Sequence, residues 1–181
     1  AIIAILAAIL FMRDPLLDNI LFFITNLAGP AIVLLAAALA VFLWLNGRDY
    51  RMYVLVSGSA LIYFIQAGLK VLFGRVRPDQ AVALIHETSN SFPSAHVVMS
   101  VVIYGFLLFA ILSLIKSWKG KIGTFLTFIT VIALIGFSRI YLGVHWASDV
   151  LGGYLLGGWW LTIMATVAYL GETSFYPVRD G

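Results

Sequence analysis

The chain has 181 residues, 62% hydrophobic and 10% charged, with a net charge of +3, no cysteine and a mean hydropathy of +1.05. Soluble domains carry about 25% charged residues, and runs such as AIVLLAAALAVFLWL (31–45) cannot all hide inside a core of this size, so lipid is the expected solvent. The lack of cysteine excludes disulfides, thiolate metal sites and cysteine nucleophiles, and so small a net charge gives no argument for nucleic acid.

The expected fold is all-α: one integral membrane domain over residues 1–181, with six transmembrane helices and a short interfacial helix. Residues 1–12 are apolar but shorter than the roughly 20 that a span requires. They lack the basic start and small-residue cleavage site of a signal sequence, and are read as a first transmembrane helix whose beginning is missing. In RDPLLDNILFFITNLAG (13–29), Asp14-Pro15 is a helix start. Leu16, Leu17, Ile20, Leu21, Ile24 and Leu27 then fall on one side, opposite Asp18, Asn19 and Asn26, which predicts a short helix lying at the interface. Further spans are predicted over 29–45, 52–73, 95–115, 122–138 and 146–170. The tail from Gly171 is expected to be a loose end.

The connections alternate between two sides. NGRDYR (46–51), KSWKGK (116–121) and the tail form one set; the interfacial segment, the long stretch 74–94 and the turn 142–145 form the other. Lys and Arg favour the cytoplasmic side. The first set holds Arg48, Arg51, Lys116, Lys119, Lys121 and Arg179; the second holds Arg13, Lys70, Arg75, Arg77 and Arg139. With Lys70, Arg77 and Arg139 set aside for chemical roles, the balance is six against two, and the long loop and the turn face outwards.

Three clusters carry polar chemistry. Lys70 and Arg77 are seven residues apart, almost two helical turns, and are expected to share a face that ends at Pro78. Arg75 is expected to point away, towards headgroups or packing. Taken alone, the group also reads as a juxtamembrane basic cluster. The second cluster is NSFPSAHVVMS (90–100), a helix start with Ser91 or Ser94 as cap and His96 on the first turn. Free N–H groups and a partial positive charge there suit a phosphate, and a protonated histidine could hand a proton to a leaving oxygen. The third is FSRIYLGVHWASDVLGG (137–153), where His145 and Asp149 stand one turn apart. A carboxylate on one ring nitrogen makes the other a better nucleophile or base; a polar contact between helices is the plainer alternative. Gly143 is expected to let the chain reverse, and Gly153 with Gly157 to allow close helix packing.

Together these are three cations, two histidines and one carboxylate at helix ends on one side of the membrane. Ionisable groups at such depth are functional candidates. Carboxylates are too few for a magnesium or calcium site, and the set fits a bound phosphoryl group better.

KVLFGRVRP (70–78), PSAH (93–96) and SRIYLGVHWASD (138–149) resemble, in order and spacing, the three signature motifs of the type 2 phosphatidic acid phosphatase superfamily. The size is similar to that of its small bacterial members, which act on phosphatidylglycerophosphate or undecaprenyl diphosphate. The resemblance implies hydrolysis of the terminal phosphate of a membrane lipid such as phosphatidylglycerophosphate, phosphatidic acid or undecaprenyl diphosphate. It implies that His145 attacks phosphorus to form a phosphohistidine, Asp149 orients it and His96 protonates the leaving oxygen. Lys70, Arg77 and Arg139 would hold the phosphoryl oxygens, and Ser94 and the Ala95 N–H would add hydrogen bonds. No metal or other cofactor is implied; the partners are the lipid phosphate and membrane lipids, with no obligate protein partner evident. The expected location is a bacterial plasma membrane, crossed several times, with the active site on the extracytoplasmic side. One departure stands out: the family usually has glycine where this chain has Ala95.

His86 and Glu87 fit no motif and read as a solvated loop, with a lid or selectivity role as the alternative. Two rival readings remain. A vanadium-dependent haloperoxidase uses a similar constellation to hold vanadate, but those relatives are soluble. A non-catalytic lipid-phosphate-binding membrane protein would be expected to have lost a motif residue.

Overall fold

The computed structural model describes residues 11, 13–78 and 83–175. Those residues form six helices and no strand: α1 (Pro15–Asn26), α2 (Pro30–Leu45), α3 (Asp49–Phe73), α4 (Ala95–Leu112), α5 (Trp118–Tyr141) and α6 (Ala147–Phe175). Five stretches are long and apolar enough to cross a membrane, over 15–45, 49–73, 95–112, 118–141 and 147–172. The expected span over 1–12 lies outside the described residues except for Phe11. The chain is thus an all-helical, multi-pass membrane protein with five candidate spans among the described residues.

Helix α1 starts as expected. The Asp14 carboxylate accepts the N–H groups of Leu16 at 2.9 Å and Leu17 at 3.3 Å, with Pro15 at the first helical position. A break at 27–29 separates it from α2, although the apolar stretch runs through both. Helix α1 lies against α5, where the Tyr141 hydroxyl donates to Asp18 at 2.6 Å.

Helix α4 is apolar all round, the pattern of a helix covered on every side. Ten of its 18 residues are buried, and it packs against α2, α3, α5 and α6. The approach to α6 is closest. A Cβ on Gly153 would stand 2.9 Å from Val97 Cβ, and one on Gly157 would stand 2.8 Å from Val101 Cβ. The two glycines therefore set the contact, as their spacing predicts. Large side chains on the outside, among them Phe64, Leu72, Leu126 and Leu155, are exposed. In water so large an apolar surface would drive association; acyl chains solvate it.

Two expectations about the chain's course need correction. Helix α3 ends at Phe73, before Pro78, because Gly74 takes a left-handed conformation (φ 54°) and returns its N–H to Lys70 O at 3.1 Å. Arg77 is therefore on a loop and shares no helix face with Lys70. The loose tail expected from Gly171 is also wrong at its start: α6 continues to Phe175, and Glu172 pairs with Arg48 and Arg51. Gly143 does turn the chain, with φ 76°.

Candidate active site

The site is assembled at one end of the bundle from the end of α3, the loop after it, the start of α4, the end of α5 and the turn into α6. Lys70, on the last turn of α3, is 8% exposed, and its Nζ donates to Asn90 O at 2.6 Å. The Asn90 side chain answers by donating to Lys70 O at 2.9 Å. Arg77 reaches the same loop: its Nε donates to Ser89 O at 2.7 Å and its Nη1 to Val144 O at 2.7 Å. The same Nη1 stands 3.3 Å from His145 Nε2. The two cations share a site because the loop folds back between them.

His145 sits in the turn between α5 and α6 and is nearly covered, at 3% exposure. Its Nδ1 faces Asp149 Oδ2 at 3.5 Å; Asp149 is on the first turn of α6, whereas His145 precedes that helix, so the pair does not share the helix turn that its spacing predicts. That carboxylate is fully buried and densely bonded. It accepts the Trp146 N–H at 2.9 Å, a short hydrogen bond from the Ser91 hydroxyl and the Arg75 guanidinium at 2.7 Å. With Nδ1 turned to a carboxylate, the outward Nε2 carries the lone pair. Burial above all, then the charges of Arg139, Arg77 and Lys70, lower the His145 pKa to about 4 against the pull of the Asp149 hydrogen bond. The imidazole is therefore neutral at neutral pH.

Arg139, on the last turn of α5, is 1% exposed. Its Nη1 donates to Thr25 Oγ1 of α1 at 3.0 Å and its Nη2 to Glu87 Oε1 at 2.7 Å, while its Nε has no hydrogen-bond partner. Ser94 occupies the N-cap of α4, yet its side chain caps nothing, and the buried Oγ is likewise without a partner. A buried hydroxyl without a partner costs free energy unless a ligand completes it. Ala95 and His96 follow on the first turn, both partly buried, where helix N–H groups lack intrahelical acceptors. Arg139, Glu87, His145 and Lys70 are all within electrostatic reach of His96.

The structure thus gathers the candidates Lys70, Arg77, Ser94, Ala95, His96, Arg139, His145 and Asp149 at one end of the bundle. Four further residues join them. Arg75, expected to point away, is bound to Asp149. The helix phasing that misplaced it stops at Gly74. Ser91 serves Asp149 instead of capping α4. Thr25 arrives from α1, and Glu87 is no free loop carboxylate, since it lies on Arg139. Burial pushes the Glu87 pKa up, but the Arg139 hydrogen bond and the charges of Arg139, Arg77 and His96 outweigh it and hold the group below the usual range.

Residues 51–171 match the PAP2 superfamily. The chain belongs to that superfamily. Among its relatives, phosphatidylglycerophosphatase B of Bacillus subtilis (strain 168) is 34% identical over 160 residues, covering 85% of this chain and 76% of the relative. Undecaprenyl-diphosphatase BcrC of the same organism is 31% identical over 148 residues, covering 80% and 71%. In three dimensions this PAP2 protein is similar to the crystal structure of the transmembrane PAP2-type phosphatidylglycerolphosphate phosphatase from Bacillus subtilis. The TM-score is 0.80 with 27% identity, over 97% of this chain and 86% of the other. The matched segment contains every candidate residue named from the motifs; Thr25 lies before it.

Proposed function

We propose that this PAP2 protein is a lipid phosphatase that removes the terminal phosphate of a membrane lipid by way of a phosphohistidine. The observation that carries the reading is the position of His145, with Nδ1 facing Asp149 and Nε2 facing Arg77. The Nε2 lone pair attacks phosphorus, and the bond from phosphorus to the lipid oxygen breaks. His96 gives that oxygen its proton. Water then attacks the phosphohistidine, His96 takes a proton from it, and inorganic phosphate leaves. Lys70, Arg77 and Arg139 balance the charge that builds on the phosphoryl oxygens, and the free Ser94 Oγ and the N–H groups from Ala95 onward supply further hydrogen bonds. These three cations do the work that a metal would otherwise do, so the reaction is metal-independent.

The relatives' names support a lipid phosphate as substrate. Phosphatidylglycerophosphate, phosphatidic acid and undecaprenyl diphosphate all carry their terminal phosphate at the headgroup level, where this site lies at the end of the spans. Overlapping specificity of the phosphatidylglycerophosphatase kind is our reading. The site faces the outside of a bacterial plasma membrane. The balance of Lys and Arg between the two sets of connections supports that side assignment.

The test is phosphate release in detergent from a panel of the three lipids, with and without a chelator. Turnover of at least one, unaffected by the chelator and absent in His145→Ala, is expected. No release from any of them, or full activity in His145→Ala, would sink the reading; loss of activity with the chelator would overturn its metal-free part.

A further inference from the structure

Arg139 is held from two sides by different kinds of partner. Thr25 is neutral and comes from a packed helix. Glu87 is an anion from the outer loop, and its side chain is 28% exposed. One Glu87 oxygen is 2.7 Å from Arg139 Nη2, and the other is 3.9 Å from Arg77 Nη2. The carboxylate therefore lies across two of the three cations assigned to the phosphoryl group, and His96 is within electrostatic reach of it. A guanidinium fork binds carboxylate and phosphate oxygens with the same geometry. Two anions cannot share the fork, because like charges in a half-buried site repel strongly.

We propose that Glu87 is a specificity-determining competitor for the phosphoryl site: its carboxylate lies in the Arg139–Arg77 cradle and yields only to an anion carrying more charge than itself. The inference rests on the phosphatase reading of this site. The loop backbone is pinned on both sides of Glu87. The Leu84 N–H donates to Leu142 O at 3.0 Å, and Ser89 O accepts from Arg77 at 2.7 Å. Displacement is therefore a rotation of the side chain into solvent, with the loop in place.

The consequence concerns the membrane itself. Its bulk phospholipids are phosphodiesters with one negative charge on phosphorus, present in large excess at the height of the site. A resident carboxylate of equal charge leaves them nothing to gain. A terminal phosphomonoester, with up to two charges and three free oxygens, can displace it. Glu87 thus lowers the apparent affinity for every anion by the same factor, which leaves the weakly held singly charged ones unbound while a doubly charged one still binds.

The experiment uses the full chain in detergent, with inorganic phosphate as the binding probe and phosphatidylglycerol as the phosphodiester. If the carboxylate holds the cradle about nine-tenths of the time, Glu87→Gln binds phosphate about tenfold more tightly. Added phosphatidylglycerol inhibits lipid phosphate turnover by that variant and leaves the wild type untouched. Glu87→Asp, which keeps the charge on a shorter stem, falls between the two and serves in place of Glu87→Gln should the latter misfold. Tighter binding is a change that structural damage does not produce. Unchanged or weaker phosphate binding in both variants, with a wild type that turns over lipid phosphate, would overturn this inference alone. A wild type that binds phosphate but hydrolyses no lipid phosphate would sink the phosphatase reading instead.

Discussion

The guanidinium of Arg75 donates to the carboxylate of Asp149 at 2.7 Å, across 74 positions of sequence. It also donates to Ser148 Oγ at 2.8 Å. Among the described contacts, Arg75 touches Asp149, the group that orients the nucleophile in the proposed mechanism, whereas Arg77 is the one beside His145 Nε2. The two arginines of GRVRP thus have separable tasks. In the proposed mechanism Arg75 is a positioning residue that acts through Asp149.

That separation predicts opposite kinetic signatures. A hydrogen bond to a charged group contributes roughly 1.5–3 kcal/mol, so Arg75→Met is expected to lower kcat about ten- to a hundredfold with KM little changed. Arg75→Lys recovers part of the loss. Arg77→Gln raises KM as well, because in the proposed mechanism it removes a phosphoryl contact. Steady-state kinetics on one lipid phosphate in detergent checks the split, and a rise in KM for Arg75→Met equal to that for Arg77→Gln would contradict it.

His145 provides a pH prediction whose sign follows from its surroundings. With the pKa lowered to about 4, the ring stays neutral as pH falls until that value is reached. At about pH 5.5, a histidine with the ordinary pKa near 6.5 is mostly protonated. Nitrogen-15 histidine spectra should then show a neutral ring that disappears in His145→Ala. Arg77→Gln removes a cation that disfavours the imidazolium, so the midpoint moves upwards. Because the unfolded chain binds this proton more readily, the folded state loses stability as pH drops from the unfolded value towards about 4.

Gly153 links packing to the site. An added Cβ would meet Val97 Cβ at 2.9 Å and Ser94 O at 3.1 Å. The first belongs to a stiff branched side chain and the second to the backbone that starts α4, so neither steps aside. Overpacking costs about 1–3 kcal/mol, against the roughly 1 kcal/mol that alanine gains over glycine in a helix. Gly153→Ala is expected to lower Tm, and activity with it, since Ser94 and His96 shift. Gly68 has nothing within 4 Å of its added Cβ, and Gly68→Ala should hold or raise Tm in the same thermal unfolding assay.

At the opposite end, Glu172 accepts from Arg48 at 3.1 Å and makes a short bond with Arg51. The Arg48 side chain is 54% exposed and that of Arg51 only 12%. Arg51 also lies over the Phe109 ring at 5.0 Å, which ties it to α4. Glu172→Gln leaves a covered charge unmatched and should cost about 1–3 kcal/mol. Arg48→Ala should cost less than about 1 kcal/mol. Thermal unfolding in detergent ranks the two, and equal losses would contradict the ranking.

By itself, the sequence determined the elements and most of the chemical groups. Apolar runs of span length report the lipid solvent directly, and His145 and Asp149, only four positions apart, are kept together by the turn into α6. Gly143 and the 153/157 pair were legible because a positive φ and a close helix approach both select glycine. Only the tertiary structure decided which cation meets which anion. Gly74 ends α3 early, so helical phase no longer predicts where Arg75 and Arg77 point. Thr25 reaches Arg139 across 114 positions, and Glu87 across 52. Backbone hydrogen bonding is periodic over a few residues and can be read from spacing; pairing between distant side chains depends on how whole helices and loops pack, which no local pattern encodes.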